Sequence, residues 1–154
     1  MRRTPRPRRQ RGRSRVGERF ELEVGAVAHG GFCVARVPDE GNRVVFVRHT
    51  LPGERVVAQV TEGGDGDRFW RADAVEVRVA AADRVEPPCP LARPGGCGGC
   101  DFQHVSPAGQ RALKAAVVHE QLARIAGLEV GVRVEPLPGD DPPGSGLRWR
   151  TRMR

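Results

Sequence analysis

The sequence is poor in aromatic residues and contains no long apolar run. Aromatic residues make up 5% of the 154 residues and apolar residues 38%, while glycine and proline number 20 and 13. This composition indicates a modest core with many turns rather than a large compact enzyme. No stretch of about 18 apolar residues is present, so the sequence predicts no membrane-spanning helix and no membrane partner.

The first residues are rich in arginine but lack the apolar segment of a secretory signal. We therefore expect a cytoplasmic protein, and a monomer. Cysteines that cluster in a reducing compartment are metal ligands or redox groups more often than disulfides. The cysteines of this chain are therefore candidates for a metal site.

The net charge of +7 is distributed unevenly along the chain. Residues 1–15 hold eight arginines and no acid, and residues 147–154 hold four more, which leaves −5 for residues 16–146. We predict a disordered Arg-rich tail over residues 1–15. Such a tail is either a salt-sensitive arm that binds RNA phosphates or a solvated segment with no specific partner.

Short segments of alternating apolar and polar residues begin at Phe20 and are separated by glycine- and proline-containing turns. They predict strands over residues 20–26, 32–37, 44–47, 55–60 and 69–79. Five short strands at turn spacings of about ten residues are typical of a small closed barrel. We therefore predict a mainly β protein, with an OB-like five-stranded barrel over residues 16–80 whose closure removes exposed sheet edges.

Three cysteines, Cys89, Cys97 and Cys100, lie close together in a loop rich in glycine and proline, which we place at residues 81–105. Glycines let such a loop wrap its backbone around thiolates that bind a metal. Three thiolates do not complete a four-thiolate site, so the fourth ligand must come from elsewhere. His104 offers a competing solution, a Cys3His zinc site. Cys33 lies within a predicted strand, where a small buried hydrophobic residue is expected.

A helix is predicted over residues 106–127, with Ser106 as N-cap, Pro107 at the first helical position and Gly127 at the C-terminal cap. Its apolar residues fall mainly at steps of three and four, which indicates an element that packs on the barrel or the metal loop. Residues 128–154 are expected to be a linker and the start of a further domain. The last segment alternates basic residues like a strand without a partner, so we expect the chain to be truncated.

Four motifs occur in order along the chain. They are GGFCVAR at 30–36, VVFV at 44–47, LPGE at 51–54 and CGGCDFQH at 97–104. Together they resemble the N-terminal part of the S-adenosylmethionine-dependent RNA uracil-5-methyltransferases. In that family a TRAM domain, which is a small RNA-binding barrel, precedes an iron–sulfur loop and the methyltransferase domain. The segment at 148–152 resembles the entry into the catalytic half.

The resemblance implies an RNA-binding portion of an enzyme that makes 5-methyluridine in rRNA or tRNA. It also implies a [4Fe–4S] cluster on Cys89, Cys97 and Cys100, with the fourth ligand outside this chain. The family's nucleophilic cysteine, its general base and its S-adenosylmethionine site would lie beyond Arg154, so no catalytic residue is expected here. The alternative is a stand-alone RNA-binding module with the Cys3His zinc site.

Candidate RNA contacts on the barrel are Arg36, Arg43 and Arg48, with His29 and Phe46 as possible partners. Arginine pairs phosphates bidentately and stacks on bases, so it suits a small barrel that lacks a deep pocket. The competing interpretation is a solvated surface, because this part of the chain carries many acids. Both interpretations remain open at the level of sequence.

Overall fold

The computed structural model describes residues 12–136. Two parts of the chain lie outside the described residues. They are residues 1–11 of the predicted tail and residues 137–154 of the predicted linker, which include the segment at 148–152. The described part contains a five-stranded barrel, a cysteine-containing loop and one helix, so the predicted fold class is confirmed.

Five strands close into a barrel in the order β1-β2-β3-β5-β4. Their bounds are β1 Arg19–Ala28, β2 Phe32–Val37, β3 Arg43–Arg48, β4 Arg55–Glu62 and β5 Phe69–Val79. Neighbouring strands are antiparallel except β3 and β5, which pair in parallel from Val44↔Phe69 to Arg48↔Asp73. All five strands lie where the sequence predicts them, with β1, β3 and β4 extending a few residues further.

The barrel interior is filled by one side-chain face of each strand, as the alternating pattern requires. Val45, Val47, Val56 and Val60 are at most 2% exposed, and Trp70 is 1% exposed. The Trp70 indole donates a hydrogen bond to the Gly64 carbonyl at 2.9 Å, which satisfies its only donor inside the core. The core is therefore small, aliphatic and centred on one aromatic side chain.

The turns between β1, β2 and β3 depend on left-handed backbone. Gly30 and Gly31 have φ of 92° and 79°, and Gly41 has a φ of 66° after the 3-10 turn Pro38–Glu40. Positive φ costs little for glycine and is strained for most other residues. The glycine- and proline-containing turns predicted between these strands are thus confirmed.

The helix α1 covers Pro107–Gln121 and continues as a π turn over Leu122–Ala126. The Ser106 hydroxyl accepts a hydrogen bond from the Gly109 N–H at 3.0 Å, and Gly127 has a left-handed φ of 66°. The predicted caps are therefore confirmed. Within the described residues, no helix is long and apolar enough to cross a membrane.

The helix packs on the barrel only through its first half. Leu113 joins Leu51 and Val105 in a second small apolar cluster. By contrast, Ile125 is 78% exposed, although the sequence pattern placed it on the packing face with Leu113. The second half of the helix instead contacts the segment that follows it, where the Val130 carbonyl oxygen lies 2.8 Å from the His119 Nδ1 atom. The later turns of the helix therefore do not reach the barrel.

Candidate nucleic-acid interface and metal loop

The cysteine loop is held by short backbone turns. The Cys89 carbonyl accepts from the Ala92 N–H at 3.0 Å, and the Leu91 carbonyl accepts from the Cys97 N–H at 3.1 Å. The Gln103 side chain accepts from the Cys89 N–H at 3.1 Å. The backbone on either side of Cys89 is therefore fixed by the loop itself and by the residues just before the helix.

Gly96 is the position where this loop tolerates no side chain. A Cβ atom there would lie 2.1 Å from the Leu91 carbonyl oxygen and 2.9 Å from the Arg93 oxygen. Neither backbone atom can move without opening the turn that presents Cys97. The loop glycines were expected to let the backbone wrap around thiolates, and at Gly96 the structure adds a specific close approach of backbone atoms.

The three loop cysteines are free thiols, with Cys89 half-buried and Cys97 and Cys100 exposed. Soft thiolates are donors for zinc and for iron–sulfur clusters, so the donor chemistry fits either group. Among residues 12–136, however, no three His, Cys, Asp or Glu side chains are gathered closely enough to hold a metal ion. The assignment of Cys89, Cys97 and Cys100 as ligands therefore stays a prediction.

Cys33 lies in the barrel core, as expected for a small hydrophobic residue. It is 1% exposed, and its thiol donates to the Thr50 carbonyl at 3.5 Å. Burial raises the pKa of the Cys33 thiol to about 11. A thiol that is enclosed and hard to ionise is poorly suited to ligate a metal in the loop.

His104, the alternative zinc ligand, is also buried, with 4% of its surface exposed. Its Nε2 atom lies 3.2 Å from the Thr50 carbonyl oxygen, so this nitrogen carries the proton and donates. Burial lowers the pKa of His104 to about 4. This arrangement gives His104 a structural role between the loop and the barrel, and it does not favour the Cys3His alternative.

The loop is attached to the barrel next to Cys100. Arg48, at the end of β3, forms an ion pair with Asp101 at 2.9 Å. On the other side, a Cβ atom at Gly31 would lie 2.7 Å from the Asp101 Cβ atom. The glycine turn between β1 and β2 and the last residue of β3 therefore hold the position that directly follows Cys100.

The three candidate RNA contacts differ in their partners. Arg36 is exposed and donates to the Asn42 carbonyl at 3.3 Å. Arg43 donates to the carbonyls of Asp65 and Asp67 and lies over the Trp70 ring, with its centre 5.6 Å from the ring centroid. Arg36 is therefore accessible to solvent, whereas the hydrogen bonds of Arg43 fix the loop between β4 and β5.

Arg48 forms an ion pair with Asp101, and His29 is exposed just after β1. Arg36 and Arg48 lie on the outer surface of the barrel, and Arg43 faces the side where β2 ends. The candidates therefore do not form one compact cluster. Their assignment as RNA contacts stays a prediction.

The folded unit begins within the arginine-rich segment 1–15, which the sequence predicts to be disordered. Arg15 forms ion pairs with Glu18 at 2.9 Å, with Glu40 at 3.0 Å and with Asp65, and it lies over the Trp70 ring. Its hydrogen bonds to Asp65 and Glu18 raise the pKa of the guanidinium above its usual value. Three carboxylates surround Arg15, so the last residues of the predicted tail are part of the folded unit.

A row of aromatic rings on the outer surface of β2, β3 and β5 was only partly foreseen. The Phe46 centroid lies 6.3 Å from that of Phe32 and 5.2 Å from that of Phe69, and both contacts are edge-to-face. The guanidinium of Arg71 lies 6.0 Å from the Phe32 centroid and 5.6 Å from the Phe69 centroid. We call Phe32, Phe46, Phe69 and Arg71 the aromatic face. Strand alternation could have placed each ring outward, but the pairing of β3 with β5 is not visible in the sequence.

The closed five-stranded barrel defines a class of small OB-like domain, and comparison with known families agrees. Residues 13–80 match the family model of the TRAM domain. The chain therefore contains a TRAM domain, with Arg13 to Arg15 inside it.

Similar proteins extend the comparison beyond the barrel. The chain is 58% identical over 147 residues to an uncharacterized RNA methyltransferase of Streptomyces coelicolor, an alignment that covers 92% of this chain and 32% of the relative. It is 43% identical over 139 residues to the 23S rRNA (uracil(1939)-C(5))-methyltransferase RlmD of Halomonas elongata, covering 88% of this chain and 26% of that protein. For RlmD of Shewanella baltica OS195 the identity is 34%, over 90% of this chain and 28% of the relative. The chain spans at most about a third of these relatives, and the resemblance to RNA methyltransferases is confirmed.

Proposed function

We propose that this chain is the RNA-binding portion of an S-adenosylmethionine-dependent RNA methyltransferase that makes 5-methyluridine. The observation that carries this proposal is the TRAM barrel at residues 13–80 in a chain similar to RNA methyltransferases over about nine-tenths of its length. Two relatives are named for methylation of a uracil in 23S rRNA, which makes ribosomal RNA the first substrate to test.

The barrel supports RNA binding through its outer surface rather than through a pocket. Its interior is filled by aliphatic side chains and Trp70, so no ligand can enter it. Arginines reach outward from β2, β3 and β5, where they can meet phosphates or stack on bases. The portion described here would hold folded RNA while the reaction occurs in a part of the enzyme that these residues do not include.

The loop cysteines would hold a [4Fe–4S] cluster, with its fourth ligand supplied from outside this chain. When bound, such a cluster supplies a structural cross-link or a redox centre, and a structural role fits a loop tied to the barrel at Asp101 and to the helix through Ser106. Ser106 N–H donates to the Asp83 carbonyl at 2.8 Å, which joins the two ends of the loop.

The decisive test of the enzymatic proposal uses the complete product of the gene that encodes this chain. Incubation with 23S rRNA that lacks uracil methylation and with labelled S-adenosylmethionine should transfer label to the RNA. Digestion to nucleosides and mass spectrometry should then identify 5-methyluridine. Label in another nucleoside, or no transfer in a sample that binds S-adenosylmethionine, would contradict the proposal.

The metal content is tested separately on anaerobically purified protein. Iron and acid-labile sulfide, together with broad absorbance near ~400 nm from thiolate-to-iron charge transfer, would support the cluster. A colourless protein with stoichiometric zinc would contradict it and would support the Cys3His alternative. Replacing His104 by glutamine, which keeps a side-chain N–H donor, separates the two further, because only the zinc site would lose its metal.

A further inference from the structure

We infer that the aromatic face is a stacking surface for unpaired RNA bases, with Arg71 as its cationic partner. This inference rests on the proposed RNA-binding function and adds to it the form of RNA that is bound and the strands that bind it. Of the four residues of this face, only Phe46 was among the RNA contacts and partners that the sequence suggested.

The first argument is the exposure of the rings. Phe32, Phe46 and Phe69 are half-buried, although they lie on the outer surface of the barrel and not in its core. Three large apolar side chains on one outward surface leave apolar area in contact with water. Aromatic rings on the outside of a sheet present the flat apolar area that an unstacked base can cover.

The second argument is the position of Arg71. Its guanidinium lies within 6.0 Å of two ring centroids, and its Nη1 atom contacts Glu62 at 2.5 Å. Glu62 and the rings thus hold the cation at the surface of the cluster. A planar guanidinium can stack on a base while it contacts a phosphate, which an ammonium group cannot do. The guanidinium therefore lies over Phe32 and Phe69, and because the Arg71 side chain is 42% exposed, its own planar face is available to a base.

The third argument is the local charge. The outward positions of β2, β3 and the first half of β5 carry three arginines and one acid, Asp73, whereas residues 16–146 as a whole carry −5. These outward positions are 32, 34, 36, 44, 46, 48, 69, 71 and 73. Two of these arginines are paired with acids outside this set of positions, Arg48 with Asp101 and Arg71 with Glu62. The surface is therefore close to neutral, and it repels a polyanion less than the rest of this acidic portion of the chain does.

Single-stranded RNA is the form that suits this surface. In a duplex the bases are stacked on one another, and the A-form major groove is too narrow for side chains to reach them. A strand with free bases offers π-faces to Phe32, Phe46 and Phe69 and phosphates to Arg36 and Arg71. The binding should depend little on sequence, since every base has a π-face.

The test compares two arginines of β5 that have similar surroundings. Arg71 pairs with Glu62 and its side chain is 42% exposed, and Arg78 pairs with Glu76 and is 49% exposed. Only Arg71 lies on the aromatic face. The full chain and its variants R71A, R71K and R78A are titrated by fluorescence anisotropy with a mixed-sequence single-stranded RNA and with the same sequence as a duplex. The titrations are carried out at raised salt, because salt weakens binding by the arginines of residues 1–11 and leaves stacking in place.

We expect R71A and R71K to bind the single strand about tenfold more weakly than the unaltered chain, since stacking contributes that much per base. R78A should bind as the unaltered chain does, and the duplex should bind more weakly than the single strand. Equal effects of R71A and R78A, full binding by R71K, or preference for the duplex would each overturn the inference while RNA binding itself stands. A chain that binds neither RNA would instead contradict the proposed function.

A ring substitution gives an independent check. F46L removes the central ring of the aromatic face, and F20L removes a ring that packs against Trp70 at 5.6 Å between centroids, away from this surface. Circular dichroism and thermal unfolding establish that each variant is folded. We expect weaker single-strand binding for F46L only. If folded F46L and F20L bind alike, the rings do not stack on RNA. If F46L does not fold, the arginine comparison decides the matter alone.

Discussion

Arg84 donates two hydrogen bonds to the carboxylate of Glu54, from Nε at 2.6 Å and from Nη2 at 2.7 Å. Glu54 is 1% exposed and also accepts from the N–H groups of Leu51 and Ala81. Burial by itself raises the pKa of the Glu54 carboxyl, but these hydrogen bonds outweigh it, and the pKa lies below its usual value. Since Arg84 follows β5 and Glu54 precedes β4, the pair joins the barrel to the start of the cysteine loop.

The first prediction concerns this pair. Replacing Glu54 by alanine should lower the free energy of unfolding by about 3–5 kcal/mol, because it removes a buried partner of a charge and leaves two N–H groups unsatisfied. Urea denaturation of the chain and of Glu54→Ala measures the difference. Replacing Glu21, whose ion pair with Arg55 is exposed, should cost no more than about 1 kcal/mol. A similar loss for both variants would show that the Glu54 pair contributes no more than a surface pair.

The second prediction concerns pH. His104 is neutral in the folded protein down to about pH 4, whereas an unfolded histidine takes up a proton near its usual pKa of 6.5. Between these values the unfolded chain binds more protons. Stability is therefore full above pH 6.5 and falls as the pH drops toward 4, by at most about 1.4 kcal/mol per pH unit.

The replacement His104→Gln keeps a donor for the Thr50 carbonyl and removes the titrating ring. Unfolding measured from pH 7 to pH 4 should show a smaller loss of stability for this variant than for the unaltered chain. The replacement His29→Gln, at an exposed histidine, is measured alongside as the comparison variant. Parallel curves for the unaltered chain and His104→Gln would contradict a buried neutral histidine.

The third prediction uses two glycines with nearly equal backbone angles. Gly31 has a φ of 79° and its Cβ position collides with Asp101, whereas Gly53 has a φ of 83° and nothing lies within 4 Å of its Cβ position. Alanine at Gly53 should therefore cost only the backbone strain, of about 1 kcal/mol. Alanine at Gly31 should cost clearly more, because the loop that carries Cys100 must move.

Thermal unfolding of Gly31→Ala and Gly53→Ala separates the two effects. The iron content of the same samples gives a second readout, which should fall for Gly31→Ala if the displaced loop holds a cluster. Equal stabilities would mean that Asp101 can move away from the added methyl group without loss of stability. The glycine turn would then not position the loop.

The fourth prediction distinguishes the four cysteines. Cys33→Ser should leave the metal content unchanged, because Cys33 is enclosed in the barrel and its donor bond to Thr50 can be kept by a hydroxyl. Cys97→Ser should lose most of the metal, since an exposed loop thiol is replaced by a poor ligand for a soft metal. Elemental analysis of both variants tests this. Loss of metal from Cys33→Ser in a folded protein would make Cys33 the fourth ligand.

The sequence was sufficient to predict the strands, the helix caps and the cysteine loop, because each depends on local chemistry. Alternation placed Phe46 and Val45 on opposite faces, and Ser106 with Pro107 marked the start of the helix. What it could not predict depends on chain segments distant in sequence. The pairing of Arg48 with Asp101 and the three carboxylates around Arg15 arise only after the barrel closes. For the same reason Arg43 looked like a surface cation, although it reaches back to the loop at Asp65.

The fifth prediction follows from that difference between Arg43 and Arg36. The guanidinium of Arg43 donates to two backbone carbonyls, and its Nε atom is buried without a hydrogen-bond partner, so its main contribution is to the loop between β4 and β5. Arg43→Ala should lower the free energy of unfolding by about 1–3 kcal/mol, because two hydrogen bonds to backbone carbonyls are lost and each contributes roughly 0.5–1.5 kcal/mol. Arg36→Ala should change it by less than about 0.5 kcal/mol.

RNA binding should show the reverse order. Arg36→Ala is expected to weaken binding and to reduce the slope of affinity against salt by about 1, as loss of one phosphate contact does. Arg43→Ala, measured at a temperature where it remains folded, should keep the salt slope of the unaltered chain. A reduced slope for Arg43→Ala with unchanged stability would return Arg43 to the RNA contacts and show that its bonds to the loop give way to phosphate. Because stability and salt slope are measured on the same two variants, each result assigns the guanidinium either to the fold or to the RNA.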